Sequence, residues 1–441
     1  MRTVNKVTAA VAGVAALVFS LGACSSDSDN SGSSSSNSSS SSESPSSSSA
    51  EQTEAEVFTW WASGSEKEGL DALVKDFNTQ FPNVKFVNAA VAGGAGSNAK
   101  EVLANRLATN DPPDSFQAHA GAELTDYIEA GQVEDISNLY DEWGLTTAFP
   151  KDLIDRLTVD GKIYSVPADI HRANVVWANT QVLKDAGLDP KATYSNLADW
   201  IKALQKVKDS GKTALSVAAP WTQVQLLENA LLADLGADGY NGLWDGSTDW
   251  SSPEVTQAFK DYETLMSFTN KDRDGLDWPD ATTQVENGDA AFNVMGDWAE
   301  AQFEADGKTL NKDYVAFPTP GTDGVFDFLA DSFTLPVGAP HPDGAKAWLQ
   351  EVTSVQGQHD FNKAKGSIPA RTDVDTSDFG PYQQTAIKSF ANDTIVSSLE
   401  HGAAVPASVL SDITDAVSKY SAGSSSIDDL QKAVTDAVQN G

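Results

Sequence analysis

An α/β fold arranged as two lobes is what this sequence predicts, and three observations carry the prediction. From Val57 onward, short β-prone runs alternate with amphipathic helical runs, the pattern of a sheet with helices on its faces. Two extended apolar stretches, 163–179 and 290–296, interrupt the alternation and read as crossings between lobes. Apolar residues make up 40% of the 441, enough to fill a sizeable core in a chain too long for one small domain.

The elements follow in order. Arg2 and Lys6 precede an almost wholly apolar run from Val7 to Ala23. That run is short of the roughly 20 residues a membrane span needs and fits a secretory h-region. It ends in Leu21-Gly22-Ala23-Cys24, which holds the chain's only cysteine and resembles a bacterial lipobox. The expectation is a signal peptide over 1–23, lipidation at Cys24 and a serine-rich polar tether over 24–56, since such a segment has no apolar surface to offset its ordering entropy.

Val57-Phe58-Thr59-Trp60 reads as a strand, and Leu70, Leu73, Val74, Phe77 and Phe81 recur at helical spacing, predicting a helix over 66–80. Val84 to Val87 is a second strand. Val102, Leu103 and Leu107 mark a second helix. Asp114 to Gln117 is a third strand, before a helix with Leu124, Tyr127 and Ile128 that Gly131 closes. This pace predicts a parallel sheet, whose ligands sit beyond the carboxyl ends of its strands, here Trp60-Trp61 and Gln117-Ala118-His119. The chain from about Pro340 is mainly helical, and its last helix opens at Ser426 with Asp428 and Asp429 in the first turn.

Composition excludes several functions. Lys and Arg total 29 against 63 Asp and Glu, a net charge of −34. Such a chain repels a phosphate backbone, so nucleic acid is not its partner. One cysteine rules out a disulfide framework. Gly93-Gly94-Ala95-Gly96 lacks the Gly-Lys-Ser/Thr of a phosphate loop and reads instead as a loop near the cleft. The five histidines are scattered, which argues against a transition-metal site, and no Gly-x-Ser-x-Gly elbow occurs. No cofactor motif is present. Eleven tryptophans against nine tyrosines point to a ligand with an apolar face that an indole can cover.

Four segments carry a more specific resemblance: 58–66 (Phe-Thr-Trp-Trp-Ala-Ser-Gly-Ser-Glu), 116–124 (Phe-Gln-Ala-His-Ala-Gly-Ala-Glu-Leu), 295–298 (Met-Gly-Asp-Trp) and 365–370 (Lys-Gly-Ser-Ile-Pro-Ala). They resemble the glucose/galactose-binding branch of the family 1 extracellular sugar-binding proteins, solute-binding lipoproteins of ABC transporters. The resemblance implies a two-lobed periplasmic-binding-protein-like (type 2) fold with discontinuous lobes, an interlobe cleft and a hinge. It sets the lobes at 57–170 plus 297–338 and 171–296 plus 339–441. It also implies a non-enzyme that takes a monosaccharide, delivers it to ABC permease subunits and touches the membrane only through its lipid anchor; a monomer is the default expectation.

Carried over residue by residue, the resemblance places Trp60, Trp61 and Trp278 against the sugar face, with Trp298 as a further platform. Glu66 and Asp331 would accept from sugar hydroxyls, and Gln117, His119, Lys365 and His401 would complete the polar contacts. Each residue has a structural alternative. Glu66 follows Ser63 by three residues, as in a capping box. A tryptophan in an apolar stretch is usually core, and Asp297 is read as the cap of the helix after it. Three other functions stay open: a glycosidase using Glu66 and Asp331 as its carboxylate pair, a maltose- or trehalose-type oligosaccharide binder, and a surface sugar receptor without a transporter.

Overall fold

The computed structural model describes residues 53–93 and 96–441. The expected signal peptide, Cys24, most of the tether and Gly94-Ala95 of the glycine loop lie outside the described residues. The strands in chain order are β1 (Thr53–Phe58), β2 (Val84–Asn88), β3 (Ser115–His119), β4 (Thr158–Val159), β5 (Lys162–Ile163), β6 (Ser165–Pro167), β7 (His171–Arg172), β8 (Val175–Asn179), β9 (Thr213–Ser216), β10 (Ala290–Val294), β11 (Tyr314–Pro318), β12 (Val325–Leu329), β13 (Asp331–Thr334) and β14 (Thr394–Ser397). β1 starts at Thr53, so 53–56, expected in the tether, are strand residues.

The first lobe is built on the sheet β2-β1-β3-β13-β6. β1 pairs in parallel with β2 and β3, as expected, but β13 is antiparallel to both β3 and β6. The sheet is therefore mixed, because β13 enters it from the opposite end on a return crossing. Its register sets Asp331 directly across from His119. The helix Gly64–Gln80 buries Leu70, Leu73 and Phe77 at helical spacing. It packs against the helices Pro342–Val352 and Val355–Lys365.

The second lobe is built on β11-β8-β10-β9, in which β8 is antiparallel to both neighbours and β9 parallel to β10. The long helical segment Pro220–Asp245 is broken at Gly236, whose φ is +66°, and the helices Pro253–Met266 and Ala407–Ser421 pack against it. The last helix begins with the expected Ser426 cap, completed by Asp429 as a capping box. No helix among the described residues is long and apolar enough to cross a membrane.

The run 163–179 is extended, as the sequence predicts, and it threads several sheets in turn. β6 joins the first sheet, β7 joins the small sheet β14-β12-β7, and β8 joins the second. The chain returns through β12, in the small sheet, directly into β13, in the first. The stretch 290–296 is not a crossing: β10 is an interior strand of the second sheet. The expected lobe boundaries shift for the same reason. Residues 314–318 pair with β8 rather than joining the first lobe, and the helices within 342–365 cover β1 and the helix 64–80 rather than the second sheet.

Candidate functional site

A cavity of about 20 Å³ lies where the strand ends of the two sheets converge, lined by Trp60, Glu66, His119, Trp221, Trp278, Trp298, Leu329, Asp331, Lys365 and His401. The first lobe supplies Trp60 after β1, Glu66 from the first turn of helix 64–80, His119 at the tip of β3, Asp331 at the start of β13 and Lys365 at the end of helix 355–365. The second-lobe side supplies three indoles. Trp221 opens helix 220–245 behind Pro220. Trp278 opens the helix Trp278–Glu286, fixed by an Asp277/Asp280 capping box. Trp298 precedes the helix Ala299–Ala305. All of these lining side chains are buried except Glu66, which is half-buried.

The lobes touch around the cavity. The His119 and His401 rings meet edge-on at 5.7 Å. Ser65 Oγ donates to the Trp298 carbonyl at 3.2 Å. The Glu123 N–H donates to the Gly402 carbonyl at 2.8 Å. Gly402 has φ +65°, and a Cβ there would strike the Glu123 carboxylate, so this approach of the two backbones requires glycine.

Beneath the first-lobe wall runs a buried ionic network. Lys365 Nζ is 2.8 Å from Asp169 Oδ2 and also bonds Asp331 Oδ2. Gln117 Nε2 donates to Asp331 Oδ1 at 2.9 Å, and the Asp331 N–H donates to Asp169 Oδ1 at 2.8 Å. His171 Nε2 lies 3.2 Å from Asp169, and its Nδ1 bonds Asp297. Burial alone would raise the Asp169 carboxyl, but the Lys365 and His171 charges hold it below the usual carboxylate range. Burial and Lys365 push the His171 imidazole down, yet the carboxylates of Asp169 and Asp297 carry it to about 9. His119 Nδ1 lies 2.7 Å from Glu123 Oε2. Burial opposes ionisation of Glu123, and Lys100 and His119 outweigh it to bring that carboxyl to about 2. Glu66 goes the other way: burial raises it to about 8 against the pull of Lys365.

Asp169, His171 and Asp331 bring donor atoms within 4.8 Å of one another, a spacing that suits a cation. The Lys365 ammonium is already bonded to both carboxylates, so this set serves an ion pair.

The structure brings most of the sequence-expected residues together and separates two. Trp61 does not line the cavity. Successive side chains at the end of β1 point to opposite sides, so Trp60 faces the cavity while Trp61 packs on Phe361 and Phe333, with Lys365 Nζ 4.5 Å from its ring centre. Gln117 sits two residues deeper in β3 than His119 and acts from below, holding Asp331 and accepting from the Trp60 N–H at 3.3 Å. Asp297 is not a helix cap, because its carboxylate is engaged by His171. No side-chain cap bond forms at Ser63, so the capping-box alternative for Glu66 is not realised. Sequence reasoning missed Trp221 and Leu329. The Pro220-Trp221 pair opening a helix is the signal that would have found the indole.

Two lining side chains carry buried atoms with no hydrogen-bond partner among the described residues: Trp221 Nε1 and His401 Nε2. Burying such a group unpaired is costly, so both point to a ligand that satisfies them.

Two sheets joined by crossing strands, with a small polar and aromatic cavity between them, define a two-lobed solute-binding protein. The chain belongs to the bacterial extracellular solute-binding protein family, which matches it over residues 61–359. It is 36% identical to an uncharacterised ABC-transporter extracellular-binding protein of Pyrococcus horikoshii, over 87% of this chain and 86% of that one. It is 30% identical to a probable sugar-binding periplasmic protein of Rhizobium meliloti, over 87% and 92%. Its fold is similar to that of a chitin oligosaccharide binding protein, with TM-score 0.77 and 20% identity over 88% and 99% of the two chains.

Proposed function

We propose that this chain is the substrate-binding component of an ABC sugar importer, taking one neutral monosaccharide (glucose, or galactose or mannose) between its lobes and presenting it to permease subunits. In this reading Cys24 anchors it by lipid to the outer face of the membrane, on the strength of Leu21-Gly22-Ala23-Cys24 after the h-region. The observation that carries the sugar reading is the cavity itself. Four indoles and five polar side chains converge on it, a lining that suits a single sugar ring, and at about 20 Å³ its walls must part to admit one. Indoles cover its second-lobe side, matching the apolar C–H faces of a pyranose, and buried polar atoms face the rest. The relative in Rhizobium meliloti is named as a probable sugar-binding protein.

Asp331 argues against the glycosidase alternative. Its oxygens already accept from Gln117 and Lys365, so it is not a free carboxylate that could pair with Glu66 for hydrolysis. A hexose has about a dozen heavy atoms. At half the best ligand efficiency, about 0.75 kcal/mol per atom, it would bind with about −9 kcal/mol, a Kd below roughly 1 μM. Closure of the lobes is then a population shift driven by contacts that exist only when both walls meet the sugar.

A thermal-shift and calorimetric panel tests this. Glucose, galactose or mannose should raise the melting temperature and bind in that range, while maltose should not. A larger shift with maltose, or none with any sugar, overturns the proposal.

A further inference from the structure

Behind the second-lobe wall, a chain of hydrogen bonds runs from a buried carboxylate to the unpartnered histidine of the cavity. Glu228 lies on the same helix as Trp221, two turns on. Both of its oxygens accept from Ser398 Oγ, at 3.1 and 3.0 Å, and Oε2 also accepts from the Glu400 N–H at 2.8 Å. Ser398 Oγ lies 2.9 Å from His401 Nδ1 and receives the His401 N–H at 3.3 Å. All four residues are buried.

We propose that Glu228 and Ser398 are positioning residues that lock His401 in the tautomer with its proton on Nδ1, so that Nε2 is a bare acceptor and this wall reads a ligand hydroxyl by the proton it donates. The proposal deepens the sugar reading of the same cavity and rests on it. The direction follows from the donor inventory. A carboxylate only accepts, so the Ser398 hydroxyl proton goes to Glu228. The serine oxygen is then left to accept, and the group opposite it at His401 Nδ1 must carry a proton. The neighbours fit this polarity. Burial raises the Glu228 carboxyl to about 7, against hydrogen bonds from the Glu400 N–H, Asp327 and Ser398 that favour its ionised form, and burial with the Glu228 charge pushes Asp327 well above its usual range, so above neutral pH Glu228 is the acceptor. Burial, reinforced by His119, keeps the His401 imidazole neutral. A neutral ring whose Nδ1 is spoken for presents a lone pair at Nε2, the atom without a partner.

The consequence is selectivity by chemical class. A neutral polyol has a hydroxyl to give at this point. A sugar acid or sugar phosphate that turns an oxyanion toward Nε2 meets lone pair with lone pair and is rejected.

The experiment is ¹⁵N NMR of the imidazole rings of the full chain, with histidines labelled and His401 assigned by His401→Gln, about one pH unit above 7 so that Glu228 is ionised. The wild type without sugar should show His401 protonated at Nδ1 only. Glu228→Gln, which has nearly the same shape and can donate to Ser398, should turn the hydroxyl around and move the proton to Nε2. Ser398→Ala should give a mixture. The affine sugar of the panel should bind Glu228→Gln about tenfold more weakly. A wild-type ring protonated at Nε2, or a Glu228→Gln ring unchanged from wild type, overturns the proposal. The ring is read without ligand, so failure of the sugar reading would show as absence of binding by a correctly poised histidine.

Discussion

The two walls of the cavity are opposite in kind. On the first-lobe wall, Asp331, Lys365 and His119 are polar, and they are bonded to protein: Asp331 to Gln117 and Lys365, Lys365 to Asp169, His119 to Glu123. The second-lobe wall is three indoles and a neutral imidazole, and two of its polar atoms, Trp221 Nε1 and His401 Nε2, have no partner among the described residues. The difference teaches that the charged wall is a preformed frame, while the aromatic wall is where unsatisfied capacity for ligand is stored. Losses on the first wall should therefore appear in stability, and losses on the second in affinity.

The largest expected effect tests the frame. Lys365→Met removes the one cation among the described residues that is bonded to both Asp169 and Asp331 and leaves two buried carboxylates facing each other. Breaking a buried pair this way costs about 3–5 kcal/mol, or roughly 5 °C of melting temperature in a protein of this size. Thermal unfolding of the sugar-free protein measures it. A melting temperature equal to wild type would show that the network is not part of the frame.

That network also marks what the sequence could disclose. His119 and Asp331 were legible at predicted strand ends, because chain position there fixes exposure to the cleft, whereas Glu66 and Trp278 came only from the resemblance and line the same cavity. Trp60 and Trp61 were not separable, since neighbours in a strand differ only by which face is inward, and that depends on the sheet's packing. Asp169 and His171 were hidden inside an apolar extended run, and Asp297 was read locally as a cap although its partner is 126 residues away. The lobe boundaries failed for the same reason. Helices 342–352 and 355–365 return to the first sheet through contacts that no local periodicity records, and β13 turned a parallel sheet into a mixed one.

The next effect separates the walls by pH. Glu66 holds its proton up to about 8 in the folded chain, whereas an exposed glutamate has lost it several units lower. Its contribution is therefore complete on the acidic side and is lost as pH rises toward 8. His171, raised to about 9 by its carboxylate partners, contributes fully below the usual histidine value and fades as pH rises through 9. Both act in the same direction, and both belong to the first lobe's side. The melting temperature of the sugar-free protein should thus fall from about pH 5 to pH 9, and Glu66→Gln should flatten the lower part of that slope while leaving the part due to His171. A slope identical in the variant would mean that Glu66 is not desolvated.

The smallest effect tests the second wall at a single atom. Trp221 Nε1 is a buried donor without a partner among the described residues, and a donor left so carries a desolvation cost in the sugar-free protein. Trp221→Phe removes the donor and keeps an aromatic face, so the melting temperature without sugar should hold or rise slightly. A bound hydroxyl that accepts from Nε1 is worth about 1 kcal/mol, so the Kd should rise roughly fivefold. Calorimetry and thermal unfolding on one sample read both quantities. The contrast with Lys365→Met is the point: one variant loses stability because the groups it touches are already paired, and the other loses only affinity because its atom is not. If Trp221→Phe instead lowered stability and left sugar affinity intact, that indole would be part of the frame and the division between the walls would not hold.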